Sequence, residues 1–334
     1  MNHLSLQLDL PPVQDQQWQV GADLHREALA QTQNGKSELQ ADGKVRRHNQ
    51  ELFLQGDIFV TPAWEWVPGV RWQDDSDFGQ HWAPKLAVRG RLYQQGDDTL
   101  TVRASIGQGY RVPNLKERHY LFDHSALGYR VVGNPDLKPE SSTSFQLGAV
   151  LMLGPRWTVD VNAYLNRIRD LIQTDTDSAR SDNGILLYTY DNVARARTQG
   201  LETAITWAPS AAWQLNAALT LGRTRDLATG REIAQRPRRM ARLGMDWQAA
   251  AQTRVNLRLR SQGSELSDVT NNLRSSGWTV VDLNVRQQLA RDLSVFLRAD
   301  NLFDRQRNFS QSHQLGPISG RMVMLGLRYG AEMR

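Results

Sequence analysis

The sequence of 334 residues contains no cysteine. This absence excludes disulfide bonds, thiol catalysis and metal sites ligated by cysteine. No run of apolar residues approaches the length of about 18 that a membrane-spanning helix requires. The sequence also lacks the G-x-S-x-G motif of a serine hydrolase, a phosphate-binding loop and a dinucleotide fingerprint. We therefore expect neither a bound cofactor nor a resident metal.

Basic residues are not concentrated in a tail or block. The chain has 40 Lys and Arg against 35 Asp and Glu, a net charge of +5, and these residues are spread along the sequence. A nucleic-acid-binding surface normally has a dense basic patch, so we expect no nucleic-acid partner. The first residues also lack the basic start and apolar core of a signal peptide. The charges are best explained as the polar faces of regular secondary structure.

The chain does contain a repeated alternation of apolar and polar residues. From Trp157 to Leu165 the odd positions are apolar, whereas the intervening positions include Asp160 and Asn162. A period of two is typical of β-strands with one apolar face. The pattern predicts fifteen strands, at 3–9, 17–29, 49–60, 63–73, 82–93, 98–108, 142–153, 156–170, 195–207, 213–225, 238–249, 252–265, 276–289, 292–303 and 320–329.

The lengths of the strands and of their connections favour a membrane barrel over a soluble sandwich. A tilted strand needs about 9–11 residues to cross a bilayer, and most of the predicted strands reach that length. Short and long connections alternate, as they do in outer-membrane barrels. The mean hydropathy of −0.54 is compatible with a barrel, because only lipid-facing positions must be apolar. The predicted long connections are 30–48, 74–81, 109–141, 171–194, 226–237, 266–275 and 304–319.

Tryptophans agree with this interpretation. Aromatic girdles collect at membrane–water interfaces, because the indole ring is apolar while its N–H prefers water. Five tryptophans lie within a few residues of predicted short turns: Trp64, Trp157, Trp207, Trp213 and Trp247. We predict an all-β, antiparallel transmembrane barrel over residues 1–334, located in the outer membrane of a Gram-negative bacterium. Residues 109–141 form its longest extracellular loop.

Two motifs frame this loop. The first is Tyr110-Arg111-Val112-Pro113, and the second is Asn134-Pro135-Asp136-Leu137. Together they resemble the paired boxes of TonB-dependent outer-membrane receptors. Gly200-Leu201-Glu202 is similar to a strand motif of that family, and Asp300-Asn301-Leu302-Phe303-Asp304 is similar to its C-terminal signature.

The resemblance implies a barrel of about 22 strands, closed from inside by an N-terminal plug. In this family the inner-membrane TonB complex pulls on the plug to energise uptake. Fifteen predicted strands would be the C-terminal portion of such a barrel, and the sequence contains neither a recognisable plug nor a TonB box. We therefore expect direct contact with outer-membrane lipid, and contact with TonB only through a plug that this chain does not include.

The resemblance also implies a large, scarce extracellular ligand, such as a ferric siderophore, haem or cobalamin. Haem receptors of the family carry a histidine between the two boxes, where this chain has His119 and His124. Imidazole and phenolate oxygen are both axial ligands of haem iron, so Tyr120 and Tyr129 are further candidates, with Arg111 at the loop entrance. His124 can equally be a residue that caps a loop turn. We rank a ferric siderophore first, haem second and cobalamin third.

Lumen-facing arginines are a second candidate feature. Their positive charge could attract haem propionates or an anionic siderophore. The residues concerned are Arg103, Arg254, Arg258 and Arg260. Two other classes of function stay open: a passive or structural barrel, and an outer-membrane hydrolase that uses Ser125 beside His124.

Overall fold

The structure is a computed structural model, which describes residues 1–40, 43–174, 180–182, 185–268, 272–308, 310–311 and 313–330. Almost all of the regular structure is extended. Within the described ranges there is one α-helix, α1 (Leu115–His119), and a 3₁₀ turn at Ser125–Leu127. No helix in these ranges is long and apolar enough to cross a membrane.

The strands, in chain order, are β1 (Asn2–Asp9), β2 (Gln16–Leu29), β3 (Thr32–Gln33), β4 (Lys36–Ser37), β5 (Val45–Thr61), β6 (Trp64–Asp75), β7 (Gly79–Gln95), β8 (Asp98–Arg111), β9 (Leu121–His124), β10 (Tyr129–Val132), β11 (Glu140–Leu153), β12 (Trp157–Thr174), β13 (Arg180–Asp182), β14 (Ile185–Tyr188), β15 (Tyr190–Ser210), β16 (Trp213–Asp226), β17 (Arg239–Ala250), β18 (Thr253–Gln262), β19 (Glu265–Asp268), β20 (Leu273–Ser275), β21 (Trp278–Ala290), β22 (Leu293–Asp300) and β23 (Met322–Tyr329).

Fifteen strands form one antiparallel sheet in which each strand pairs with its neighbours in the order, and β1 and β23 are the two edge strands. The order is β1-β2-β5-β6-β7-β8-β11-β12-β15-β16-β17-β18-β21-β22-β23. Every one of these strands overlaps one of the fifteen predicted ranges, so the predicted strand count is confirmed. Connection by hairpins alone places all the short turns at one end of the sheet and the long connections at the other, which we call the long-loop end.

One predicted long connection is wrong. Strands β6 and β7 continue to Asp75 and from Gly79, so that the predicted connection 74–81 shrinks to residues 76–78. The Asp75 carboxylate accepts the backbone N–H of Asp77 at 3.0 Å, and Gly79 adopts a φ of 70°. An Asp side-chain turn followed by a glycine in the left-handed region closes a tight hairpin.

Apolar side chains lie on the outer face of the sheet. Leu147 is 64% exposed and Leu243 is 51% exposed, although both lie in the middle of long strands. A soluble sandwich would bury such residues against a second layer, whereas lipid would cover them in a membrane barrel. On the opposite face Arg103 forms an ion pair with Asp160, so this face is polar.

Tryptophans pair across neighbouring strands beside the short turns. The rings of Trp157 and Trp207 stack with centroids 5.1 Å apart, and those of Trp213 and Trp247 stack at 4.7 Å. Each pair joins residues directly opposite one another in the register. These stacks agree with the predicted aromatic girdle at the short-turn end.

Candidate functional site

The two sequence motifs meet at the rim of the long-loop end. Strands β8 and β11 pair there, with Arg111 opposite Glu140. Two nitrogens of the Arg111 guanidinium donate to the Glu140 carboxylate at 2.8 and 2.9 Å, and the third donates to Glu117 at 3.0 Å. A bidentate pair of this kind fixes geometry as well as charge. Arg111, a predicted ligand-binding residue, thus joins the strand ends to helix α1.

Helix α1 starts with a reciprocal cap. The Asn114 side chain accepts the backbone N–H of Glu117 at 2.8 Å, and the Glu117 carboxylate accepts the backbone N–H of Asn114 at 2.7 Å. Such a capping box satisfies two amide groups that the first turn would otherwise leave unpaired. Glu117 therefore serves both the helix and Arg111.

The other motif residues also have structural contacts. Tyr110 stacks on the ring of His81 with centroids 3.8 Å apart. Pro113 is fully buried and Leu137 is 3% exposed. The Asn134 side chain accepts the backbone N–H of Asp136 at 3.0 Å and donates to the carbonyl of Tyr190 at 2.9 Å. The two boxes therefore hold the loop onto the barrel rim.

Residues from two loops build a small sheet above this rim. Strand β9 pairs antiparallel with β10, and β10 pairs in parallel with β14 from the following long loop. The order β13-β14-β10-β9 makes a four-stranded sheet, which we call the lid. The segment before β5 also contacts it, since Leu39 bridges to Tyr120.

Three rings of the lid and the adjoining Tyr120 form one aromatic row, which consists of Tyr120, Phe122, His124 and Tyr129. Alternate residues of an extended segment share a face, which brings the first three together. The Tyr120 and Phe122 rings stack at 5.4 Å, and the Phe122 and His124 rings lie 3.9 Å apart. Tyr129 is opposite His124 in the register, with its hydroxyl 3.2 Å from Nδ1 of the histidine. Three of the five predicted binding residues are thus neighbours.

His124 does not cap the turn that follows it. Its side chain makes no capping hydrogen bond to the 3₁₀ turn. The neighbouring Asp123 does so instead, because its carboxylate accepts both the backbone N–H and the hydroxyl of Ser125. The Ser125 hydroxyl is therefore directed to Asp123 and not to His124, and the two residues do not form the nucleophile–base pair of a hydrolase.

His119 lies outside the aromatic row. It is the last residue of α1, and its backbone carbonyl accepts the N–H of Gln40 at 2.9 Å. Burial lowers the pKa of the His119 imidazole, and the positive charge of Arg118 lowers it further. At neutral pH the ring is therefore uncharged.

The predicted lumen-facing arginines are paired with other polar side chains. Arg258 binds both carboxylate oxygens of Asp246, at 2.7 and 2.9 Å, and Arg260 contacts Asp282 at 3.0 Å. Arg103 pairs with Asp160 in the same way, and Arg254 donates to Gln248 at 2.7 Å. Three of these four charges are neutralised locally, which weakens their long-range attraction for an anionic ligand.

A partly buried carboxylate links two further long loops. Glu232, in the connection after β16, accepts Arg238 at 2.9 and 2.7 Å and Arg274 of β20 at 3.0 Å. Burial opposes ionisation of Glu232, but the hydrogen bonds from Arg238 and Arg274 outweigh it and hold its pKa below the ordinary value of 4.5.

Acid is therefore expected to separate these two loops. A lowered folded-state pKa means that the contribution of Glu232 to stability is complete above about pH 4.5 and is lost as the pH falls through the lowered value. The protection factors of the amides of residues 227–238 and 272–275, which are corrected for the intrinsic slowing of exchange in acid, should fall in that acidic window. The Glu232→Gln variant should exchange fast already at pH 7 and lose this pH dependence; an unchanged acid response in the variant would contradict the assignment.

Comparisons with known proteins agree with this architecture. The chain is 23% identical over 288 residues to an iron-regulated outer membrane virulence protein of Vibrio cholerae, an alignment that covers 82% of this chain and 43% of that protein. It is 26% identical over 284 residues to the ferric enterobactin receptor of Pseudomonas aeruginosa, covering 76% of this chain and 37% of that protein. The chain thus spans less than half the length of these relatives.

The fold is also similar to that of a solved outer-membrane receptor structure. A variant of the ferric enterobactin receptor of Pseudomonas aeruginosa, solved in complex with enterobactin, superposes with a TM-score of 0.76 at 20% identity. The superposition covers 98% of this chain and 53% of that chain, and it is a likeness of fold. The family described as TonB-dependent receptor-like, β-barrel matches residues 2–302. With this match added to the hairpin topology and the paired boxes at the rim, the chain belongs to the TonB-dependent receptor β-barrel family.

Proposed function

We propose that the chain is the barrel of an outer-membrane receptor that takes up a ferric siderophore, energised by TonB through a plug domain of the whole protein. The observation that carries the proposal is the aromatic row of the lid, held over the rim by the two boxes. The relatives named for iron regulation and ferric enterobactin support the same ligand class. A receptor, in contrast to an enzyme, needs binding groups and no nucleophile.

The chemistry of the aromatic row suits an anionic ligand with aromatic rings. The Lys116 ammonium lies 5.1 Å from the centre of the Tyr120 ring, and it has no ion pair within the described part of the chain. A ferric catecholate complex is anionic and presents planar rings. Stacking on Tyr120 and Phe122 and attraction to Lys116 would act on it together.

Haem is the second candidate ligand, because His124 offers an axial nitrogen. The Tyr129 hydroxyl beside Nδ1 would orient the imidazole, which leaves Nε2 for iron. A siderophore would use the aromatic faces, whereas haem would use the His124 nitrogen, so substitutions separate the two ligands.

We expect Phe122→Ala to weaken binding of ferric enterobactin about tenfold, because an aromatic contact of this kind contributes about 0.5–1.5 kcal/mol beyond the area it buries. The measurement is quenching of protein fluorescence by the ferric complex, with the chain purified in detergent. Tyr93→Ala is the matched control, since Tyr93 is a 46% exposed aromatic residue near a short turn.

Other ligands would give distinct results. A haem receptor would give a Soret shift that His124→Ala abolishes and Phe122→Ala retains. A cobalamin receptor would bind cyanocobalamin and not ferric enterobactin. A passive barrel would bind none of the three, and equal affinity of wild type and Phe122→Ala would remove the aromatic row from the proposal.

A further inference from the structure

The first hairpin brings together three side chains that can bind metal. Strands β1 and β2 pair so that His3 lies opposite His25 and Ser5 lies opposite Asp23. Residues two apart on a strand share a face, so all four side chains lie on one side of the hairpin. The sequence gives no sign of this cluster, since the two histidines are 22 positions apart and no metal-binding spacing links them.

The cluster lies on the polar face of the sheet. The intervening residues of the hairpin are apolar and point to the other face, where Leu4 is 65% exposed, Leu6 is 70% exposed and Leu24 is 45% exposed. Those leucines continue the lipid-facing surface described above. His3, Asp23 and His25 therefore line the lumen, where water and solutes can reach them.

The geometry of the three groups is close to that of a metal site. The two imidazole rings stack with centroids 4.1 Å apart and planes 12° apart, and Nε2 of His3 is 3.3 Å from Oδ1 of Asp23. One ligand atom from each residue lies within 4.8 Å of the other two. Ligands around a tetrahedral zinc ion are about 3.3 Å from each other, so small side-chain rotations would close the site.

The carboxylate is already oriented for this role. The Asp23 side chain is 12% exposed, whereas that of His3 is 46% exposed. Ser5 lies opposite Asp23 in the register, where its hydroxyl can support the carboxylate as an outer-shell partner does in metal sites. Within the described ranges, His3 is the only side chain in salt-bridge contact with Asp23; Arg71, whose charge also acts on Asp23, forms its ion pair with Glu51.

We propose that His3, Asp23 and His25 form a lumenal site for one divalent transition-metal ion of the Zn²⁺ and Co²⁺ class. Two imidazole nitrogens and one carboxylate oxygen are ligands that such ions prefer, and three protein ligands leave a coordination position for water. The site does not depend on the siderophore proposal, because it lies on β1 and β2 and not on the lid.

The test is titration of the purified full chain with Co²⁺, whose visible absorption reports its coordination. We expect one bound equivalent in the wild type. Asp23→Asn, which keeps the shape of the side chain, and His25→Ala should each lower the affinity more than about 100-fold, since loss of an outer-shell partner alone costs about 10–100-fold. Ser5→Ala should lower it about tenfold. Competition with Zn²⁺ should remove the Co²⁺ spectrum.

The choice of ion and of controls makes the result decisive. Cu²⁺ is avoided because nitrogen ligands bind it more tightly than the other divalent ions of this series, so that it would also report histidines outside the cluster. His48→Ala and His313→Ala are the control variants, since neither residue belongs to the cluster. Retention of wild-type affinity in both Asp23→Asn and His25→Ala overturns the proposal, as does an equal loss in the His48→Ala control. Circular dichroism of each variant verifies that the sheet is intact.

Discussion

Replacing Arg47 by methionine is expected to destabilise the start of the loop between β8 and β11, because Arg47 binds the carbonyl of Pro113 there. The Arg47 side chain is 8% exposed and donates to the carbonyl of Pro113 and, at 2.9 Å, to Glu27. Its Nε is 3.6 Å from the Asp75 carboxylate, which is completely buried. Methionine keeps the aliphatic volume but leaves two carboxylates without their cation. Removing one partner of a buried ion pair costs about 3–5 kcal/mol.

That cost should appear as faster amide exchange in residues 45–50 and 112–117. About 3 kcal/mol corresponds to more than a hundredfold increase in the population of the open state. Arg46→Met is the matched control, because Arg46 is the adjacent residue on the exposed outer face and has no ion pair in the described ranges. We expect a change within about 0.5 kcal/mol there. Equal exchange in the two variants would contradict the role of Arg47.

Gly133→Ala is expected to displace the lid. A Cβ atom at Gly133 would lie 2.7 Å from the backbone carbon of Arg118 and 2.8 Å from the backbone nitrogens of His119 and Tyr120. The backbone cannot move away freely, because the N–H of Gly133 donates to the Tyr120 carbonyl at 2.7 Å. Overpacking of this kind costs about 1–3 kcal/mol.

The displaced segment includes the start of the aromatic row, so Gly133→Ala should lower both the protection of the Tyr120 amide and the affinity for ferric enterobactin. Gly263→Ala provides the comparison, because a Cβ there would have its nearest neighbours at an ordinary 3.6 Å. If exchange rates at Tyr120 were the same in both variants, the close approach at Gly133 would not constrain the lid.

The hairpin architecture was predictable from the sequence because it depends on local signals. Alternation such as that from Trp157 to Leu165 reports which face meets lipid, and each hairpin pairs strands that are neighbours in the chain. The connection 74–81 was predicted to be long from its polar composition. It is short because Gly79, with φ of 70°, closes a tight turn. Side-chain turns of Asp and left-handed glycines shorten loops without altering their composition.

The site was less predictable, because its contacts join segments that are distant in the chain. Tyr120, His124 and Tyr129 could be nominated from one loop, but their row depends on the pairing of β9 with β10. Arg111 was predicted as a binding residue at the loop entrance, and its guanidinium is instead paired with Glu140 and Glu117. The parallel pairing of β10 with β14 cannot be predicted from the sequence of either segment alone.

This parallel pairing has a mechanical consequence. Tyr129 to Val131 align with Leu186 to Tyr188, so backbone hydrogen bonds tie the loop after β8 to the loop after β12. Neither loop can swing outward without breaking those bonds or carrying the other with it. We therefore expect the paired segments of the two loops to move as one unit, with one rate constant for both.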